Sequence, residues 1–251
     1  MRRASSGFSL VELAVVAAIV ALLLGSAMMT LSAQAEQRAI DETRRRLDTA
    51  AEALVSFAVM HGRLPCPAVN ASTGDEAPAG GGACTNPYGG FLPARSIGMQ
   101  PTDGSFYAID AWGNRIRYAV SSVAPTGCSG TSNAPHFTHA TNLKTNGLSC
   151  KPNDLDIVCS SVAAGVNAAC NTGVRVVSAQ TIAFVVFSTG ANGALVGSYG
   201  VDEIENANSD ARFVSRTRSA SEATNGTYDD LVVAVPAGVL YSRLVAAGVL
   251  P

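Results

Sequence analysis

Residues 7–31 read GFSLVELAVVAAIVALLLGSAMMTL, a run of apolar and small residues in which Glu12 is the single ionisable side chain. Arg2 and Arg3 lie just before it. About 20 apolar residues are enough to cross the hydrocarbon core of a bilayer as a helix. Basic residues in front of such a run favour a cytoplasmic amino terminus. The sequence therefore predicts one membrane-crossing helix over residues 8–33, and everything after it on the far side of the membrane.

Glu12 is the candidate functional residue of this helix. A carboxylate at the centre of a membrane span costs about 2.5–3.5 kcal/mol, so it needs a positive partner. No Lys or Arg lies between Arg3 and Arg38. Cleavage between Gly7 and Phe8 would create a partner, since the new α-amino group would lie about one helical turn from Glu12. The alternative is an ordinary signal peptide or signal anchor, but a secretory signal has its small-residue cleavage site after the apolar region.

The hexapeptide GFSLVE, residues 7–12, resembles the processing motif of type IV prepilins and type II secretion pseudopilins. In that family a membrane-embedded aspartyl peptidase cuts after the glycine and N-methylates the new terminus. The resemblance implies that residues 1–7 are a leader peptide that is removed, and that Gly7 and Phe8 form the processing site. It also implies that Glu12 acts in assembly and that the chain is a substrate of the peptidase, not an enzyme.

The helical pattern continues beyond the apolar run to about Met60. Ile40, Leu47 and Leu54 recur every seven residues and form one apolar stripe. Gly62 can end the helix in a left-handed conformation, as glycine often does after the last helical residue. Residues 34–61 are therefore predicted to be the amphipathic half of one long helix that packs on a sheet, with a free coiled coil as the alternative.

Length and charge constrain the part of the chain after the helix. The chain has 251 residues, which leaves room for one extracytoplasmic globular domain over residues 62–251 or for two small lobes. The net charge is −2, and the basic residues after the first helix are dispersed. No nucleic-acid binding is predicted, because such binding needs a concentrated basic surface.

The cysteines predict disulfides. Their number is even, and all six follow the apolar run in a chain that exports its C-terminal part, where thiols oxidise. They are Cys66, Cys84, Cys128, Cys150, Cys159 and Cys170. The sequence alone leaves every connectivity open. The prediction is that each cysteine pairs with its nearest neighbour, because each such bond closes one irregular loop. A zinc site is the rival interpretation, but the chain has no C-x-x-C.

Three regions predict strands. Residues 106–109 and 116–120 are rich in β-formers and flank a Gly–Asn turn, which favours a hairpin. The turn itself, DAWGN at 110–114, resembles the D-P-W-G-N turn of major pseudopilins, with Ala111 in place of proline. The apolar runs 181–187 and 231–235 complete the predicted sheet. Residues 124–178 lack a clear period, hold four of the six cysteines and are predicted to be a Cys-rich insertion.

The predicted fold class is α+β and pilin-like. A long N-terminal helix, with a transmembrane half and an amphipathic half, packs on a small antiparallel β-sheet that carries a disulfide-stapled loop insertion.

A metal site is a further expectation. The stretch STGANG, residues 188–193, resembles the S-x-G-x-D-G loop of pseudopilins, whose following acidic segment binds calcium in the major subunit. Asn192 stands where that pattern has its acid. The candidate calcium ligands are Asp202, Glu203 and Asp210, since carboxylates are hard oxygen ligands, and a solvated acidic loop is the alternative. No other cofactor is predicted.

Catalytic motifs are absent from the sequence. It contains no G-x-S-x-G, no H-E-x-x-H, no P-loop and no G-x-G-x-x-G. His136 and His139 are three residues apart in a predicted loop without a nearby acid, so a surface position explains them. Asp229 and Asp230 precede a predicted strand, where turn capping explains them. The chain is not expected to be an enzyme.

The expected function is that of a pilin-like structural subunit, a minor pilin or a pseudopilin, assembled into a type IV pilus or a type II secretion pseudopilus. Its expected partners are other pilin or pseudopilin subunits, the prepilin peptidase and the inner-membrane assembly platform. The precursor would cross the inner membrane once, with a periplasmic C-terminal domain, and then enter a cell-envelope or surface filament. The alternative is a membrane-anchored adhesin or substrate-binding module that uses the helix for delivery.

Overall fold

The computed structural model describes residues 10–122, 135–162, 170, 174–177, 181–194, 197, 199–220 and 225–250, except the side chains of residues 23–31. The chain divides into two compact units, one up to Asp41 and one from Glu42 onward. A single helix, α1 (Leu10–His61), begins in the first unit and ends in the second.

The long helix predicted from the sequence is present. It contains no proline, and it ends where Gly62, at φ +68°, donates its N–H to the carbonyl of Ala58 at 2.8 Å. Leu47, Leu54 and Phe57 are buried, so the part of α1 in the second unit contributes an apolar stripe to the core. Among the described residues, no helix is both long and apolar enough for a membrane crossing.

The second unit is α+β, as predicted. In chain order it contains β1 (Gly90–Phe91), α2 (Ala94–Ile97), β2 (Arg117–Val120), α3 (Ala140–Asn146), a 3-10 turn (Gly147–Ser149), β3 (Asp156–Val158), β4 (Arg175–Val177), β5 (Ile182–Ser188), α4 (Val201–Ala207), β6 (Arg212–Val214), β7 (Leu231–Pro236) and α5 (Ala237–Ala246).

The larger sheet is antiparallel and has the strand order β1-β2-β5-β7. Every residue of β5 is buried, because this strand has a neighbour on each side and both of its faces are covered. The predicted hairpin is present only in part. Ile109 forms an isolated bridge with Arg115 around the DAWGN turn, but residues 106–109 form no strand, and β2 pairs with β1 and β5 instead. The sheet therefore places the DAWGN turn and the turn after β5 next to each other.

The described part of residues 124–178 contributes β3 and β4 to a second sheet, which has the order β4-β3-β6. Strand β3 pairs with β4 in antiparallel and with β6 in parallel fashion, so that Ile157 lies opposite Phe213. Leu155, Ile157 and Phe213 share a buried cluster with Val185 and Phe187 of the larger sheet. This region was predicted to be a loop, but it forms strands that join the core. The three-residue strands are too short to give an alternating pattern in the sequence.

Two disulfides close loops in the second unit: Cys66–Cys84 and Cys159–Cys170. Both join the pairs that nearest-neighbour pairing predicts. Cys150 is disulfide-bonded as well, and Cys128, its predicted partner, lies outside the described residues.

Candidate functional site

The predicted processing residues Gly7 and Phe8 lie outside the described residues. Glu12 lies in the first described turn of α1, and it is exposed. The large apolar side chains along residues 10–22 are exposed as well, with exposed fractions from 47% at Val20 to 87% at Leu10. Contiguous exposed apolar surface of this kind marks an interaction surface for protein or lipid.

A second region of interest lies in the unit from Glu42 onward, where the DAWGN turn contacts α1. Arg46 donates from Nη1 to the carbonyl oxygens of Ile109 at 3.0 Å and Asp110 at 2.8 Å. The N–H of Ala111 donates to Oγ1 of Thr43 at 3.1 Å. These bonds fix the turn against the helix.

The DAWGN turn also forms hydrogen bonds with residues 188–193, the turn after β5. Asp110 accepts from the N–H groups of Trp112 and Asn114 through Oδ1 and from Ser188 Oγ through Oδ2, at 2.6 Å. Asn114 Nδ2 donates to the carbonyl of Gly190 at 2.7 Å. Burial raises the pKa of Asp110, although these hydrogen bonds act in the opposite direction. The DAWGN turn is thus a structural joint that fixes residues 188–193 in place.

Three buried carboxylates meet beside this joint. Glu203 lies in the first turn of α4, and Asp229 and Asp230 precede β7. One carboxylate oxygen from each lies within 4.8 Å of the other two. Their exposed fractions are 1%, 7% and 4%. We call these three residues the acidic cluster. Their meeting depends on the packing of α4 against the start of β7, so the sequence context of the two aspartates indicated only turn capping.

Glu203 is held by three donors. Its Oε2 accepts from Asn192 Nδ2 and from the N–H of Gly200, both at 2.9 Å, and its Oε1 accepts from the N–H of Asp229 at 2.7 Å. Asn192 belongs to the turn after β5, so this turn and α4 together fix the Glu203 carboxylate.

The two aspartates are less well satisfied. Asp229 accepts the N–H of Ala191 at 3.0 Å and Asp230 accepts Nδ2 of Asn206 at 2.7 Å, each through Oδ2. Oδ1 of both aspartates is buried and has no hydrogen-bond donor among the described residues. Gly190, at φ +66°, lies so close to Oδ1 of Asp229 that a side chain at that position would collide with it. Two buried carboxylate oxygens therefore face the packed interior without a donor.

The electrostatics of the acidic cluster reflect this burial. Burial raises the pKa of Asp229 to about 6, and the negative charge of Glu203 adds to the increase. Burial also raises the pKa of Asp230 well above its ordinary value, with further contributions from Glu203 and Asp229. Arg218 attracts Asp229 and Arg117 attracts Asp230, but these attractions are smaller than the effect of burial, so both pKa values stay raised.

The three calcium ligands predicted from the sequence do not all lie in the acidic cluster. Asp202 is buried and accepts from Arg216 Nε at 2.7 Å and from the N–H of Ser161 at 2.8 Å. Asp210 is exposed and accepts from the N–H of Arg212. Of the predicted set, only Glu203 belongs to the acidic cluster. The oxygen-only donor set of the cluster fits a hard cation such as Ca²⁺.

Comparison with known proteins gives a family match at the amino terminus. A family model described as the prokaryotic N-terminal methylation motif matches residues 2–28. This motif is that of precursors in the type IV pilin and type II secretion pseudopilin family, and the match supports the resemblance found in GFSLVE. No curated protein and no solved structure matches the chain.

Proposed function

We propose that this chain is a pilin-like structural subunit, a minor pilin or a pseudopilin, that the prepilin peptidase cleaves between Gly7 and Phe8. The observation that carries the proposal is the methylation motif over residues 2–28. The exposed apolar surface of residues 10–22 supports it, because a subunit that packs through its first helix needs such a surface before assembly.

The proposed mechanism uses one helix in two environments. Residues 8–33 cross the inner membrane in the precursor, with the C-terminal domain in the periplasm, and an assembly platform extracts the processed subunit. Helix-to-helix contacts with other pilin or pseudopilin subunits then replace lipid contacts in a type IV pilus or a type II secretion pseudopilus. Glu12 of one subunit forms an ion pair with the Phe8 α-amine of its neighbour. This ion pair sets the axial position of the incoming helix.

A minor position is favoured by the size and irregularity of the second unit. It carries two sheets and at least two disulfides rather than one small sheet. Large irregular elements on a rigid scaffold are suited to recognition. They are harder to accommodate in every subunit of a closely packed filament. We also propose that the α+β fold of the second unit is pilin-like.

Replacing Glu12 by alanine tests the assembly role. The Glu12→Ala precursor should be cleaved like the wild type, because the peptidase site lies before Phe8, but its share of sheared filaments should fall several-fold. Asp41→Ala, which removes an exposed acid of the same helix, is the matched control and should assemble normally. Normal incorporation of Glu12→Ala would overturn the proposed ion pair.

The second candidate is a membrane-anchored adhesin or substrate-binding module. It is favoured by residues 135–177, part of the predicted insertion, which add α3, β3 and β4 to the domain. Cell fractionation distinguishes the two functions. A subunit should copurify with sheared filaments, whereas an anchored module should stay in the inner membrane even when filaments are abundant.

A further inference from the structure

We propose that the free edge of β7 binds an extended, uncharged and apolar peptide segment of a partner protein, which adds one strand to the larger sheet. This edge belongs to the unit from Glu42 onward, so its role is separate from assembly through the first helix.

β7 lies at one end of the larger sheet and has a single strand neighbour. Its residues pair with β5, from Leu231 opposite Ser188 to Pro236 opposite Ile182. In an antiparallel pair, alternate residues direct their N–H and C=O groups to the neighbouring strand, and the others direct them away. Among the described residues, no backbone group bonds to the outward side of β7. This edge therefore offers a row of unused hydrogen-bonding groups.

The other three edges of the two described sheets are protected. At β1, Phe91 and Ala68 exchange backbone hydrogen bonds, both at 2.8 Å. At β6, Asn206 accepts the N–H of Val214 at 2.7 Å and donates to its carbonyl at 3.2 Å. β4 has only three residues and carries Arg175. Natural sheets use such devices because an open edge pairs with other chains.

β7 shows none of these devices in the described part of the chain. It is six residues long, LVVAVP, and carries no charged side chain. Val232, Val233 and Ala234 are partly exposed. In recognition by strand addition, main-chain hydrogen bonds at such an edge supply affinity, and alternate side chains supply specificity. The edge of β7 therefore has the length and the chemistry that an added strand needs.

A cavity beside β7 leaves room for the side chains of the added strand. It has a volume of about 290 Å³ and lies between α1 and the first half of β7. Leu47 of α1, together with Val232 and Val233 of β7, forms its apolar part. On the α1 side it is bordered by Arg44 and Asp48, which are exposed and about one helical turn apart. These opposite charges balance, which fits an uncharged occupant.

The composition of β5 indicates which residues the added strand carries. β5 (IAFVVFS) pairs with the opposite edge of β7 and has no charged residue. A strand at the free edge meets the same β7 side chains, because these stand on the two faces of the sheet and contact neighbours on both sides. A charged residue there would lose its hydration against apolar side chains. The partner segment is therefore apolar, with β-branched or aromatic residues.

The experiment measures the binding of a synthetic peptide to the full chain in detergent micelles. The peptide has the sequence of β5, residues 182–188, followed by a short lysine tail for solubility. Fluorescence anisotropy of a dye on the peptide reports binding, and empty micelles give the background. NMR of the same samples reports amide hydrogen exchange. Exchange should slow at alternate residues of β7, because only the outward-facing N–H groups gain a partner.

A second peptide tests whether backbone pairing is required. It has proline in place of Val185 and Val186, so it stays apolar but lacks the central N–H groups of a strand. It should not bind above the background.

A charge on the edge should prevent binding. Val233→Lys should weaken peptide binding by about tenfold or more, because the added strand would have to desolvate the new charge. Its Tm shows whether the fold is intact, and Val232→Lys makes the same test on the other face of the sheet. Val176→Lys is the matched control. It lies on the edge strand β4 at a position that is 50% exposed, and it should bind the peptide like the wild type.

Four results would overturn the proposal. The β5 peptide could fail to bind the wild type above the background. It could bind without slowing exchange in β7, which would place it elsewhere or in the cavity alone. The proline peptide could bind equally well, which would mean apolar contact without strand pairing. Val233→Lys and Val232→Lys could both bind normally at an unchanged Tm, which would exclude the edge of β7 as the site.

Discussion

Arg63 and Glu76 form a two-pronged ion pair in the second unit. Nη1 donates to Oε2 and Nη2 to Oε1, each at 2.7 Å, and both side chains are only 10% exposed. Burial by itself raises the pKa of Glu76, but the hydrogen bonds and the charge of Arg63 outweigh it, so the net pKa is lowered. The pair contrasts with Arg95–Asp75, which is 3.4 Å apart and about half exposed.

Removing one partner of the buried pair should be costly. Glu76→Ala leaves the Arg63 guanidinium buried without its carboxylate and should lower the free energy of unfolding by about 3–5 kcal/mol. Asp75→Ala, the control, should cost about 1 kcal/mol or less, since exposed ion pairs contribute little. Urea denaturation followed by circular dichroism measures both. Equal, small losses would show that the buried pair does not stabilise the fold.

His136 is a buried histidine whose proton position is determined by its neighbours. Tyr241 donates its hydroxyl proton to the carbonyl of Cys150 at 2.8 Å, so it accepts from Nε2–H of His136 at 2.9 Å. Burial lowers the pKa of His136 to about 4. The residue predicted to lie on a surface loop is instead 2% exposed and neutral.

This environment predicts a pH dependence. Because the pKa is lower in the folded chain than the ordinary value of 6.5, the unfolded chain binds a proton first as the pH falls. The contribution of His136 to the free energy of unfolding is full above pH 6.5. It falls by about 3 kcal/mol as the pH decreases towards 4. Asp229, with its raised pKa, acts in the opposite direction between about pH 4 and pH 6. The difference between wild type and His136→Gln across this range isolates His136, and parallel curves would contradict the prediction.

Among the elements, the DAWGN turn connects α1 to the turn after β5 through hydrogen bonds on both sides. Asp110→Ala removes the acceptor for Trp112, Asn114 and Ser188, and should lower the free energy of unfolding by about 2–4 kcal/mol. Asp110→Asn keeps one acceptor oxygen and should lose less. Chemical denaturation of both variants measures the difference, and an unchanged midpoint for Asp110→Ala would show that the turn does not hold these elements together.

Some elements could be predicted from the sequence because local patterns determine them. The heptad-spaced stripe of Leu47 and Leu54, ended by Gly62, predicts α1, and the apolar run 181–187 predicts β5. The strands β3, β4 and β6 could not be predicted, because each has three residues and depends on pairing between distant segments. Long-range pairing leaves no periodic signal in so short a strand.

The two candidate sites, the GFSLVE motif and the acidic cluster, also differ in how far the sequence alone predicts them. GFSLVE is a continuous motif, so the sequence alone points to Gly7, Phe8 and Glu12. The acidic cluster is discontinuous, since Glu203 and Asp229 are 26 residues apart in the chain. Two adjacent acids directly before the predicted strand 231–235 are the only local signal of the cluster in the sequence, and turn capping accounts for that signal equally well.

For the molecule as a whole, the two compact units carry different features. The unit up to Asp41 carries the methylation motif and the exposed apolar side chains of residues 10–22. The unit from Glu42 onward carries both sheets, the described disulfides and the acidic cluster. In the proposed function the first unit directs processing and assembly, and the second presents the surface specific to this subunit.

The most direct test of the proposed function is the mass spectrum of the amino-terminal peptide, taken from chain purified from cells that contain the prepilin peptidase. We expect the mature chain to begin at Phe8, with a methylated α-amine and without residues 1–7. A mature chain that still begins at Met1, or one that begins beyond Leu31, would contradict the proposed function.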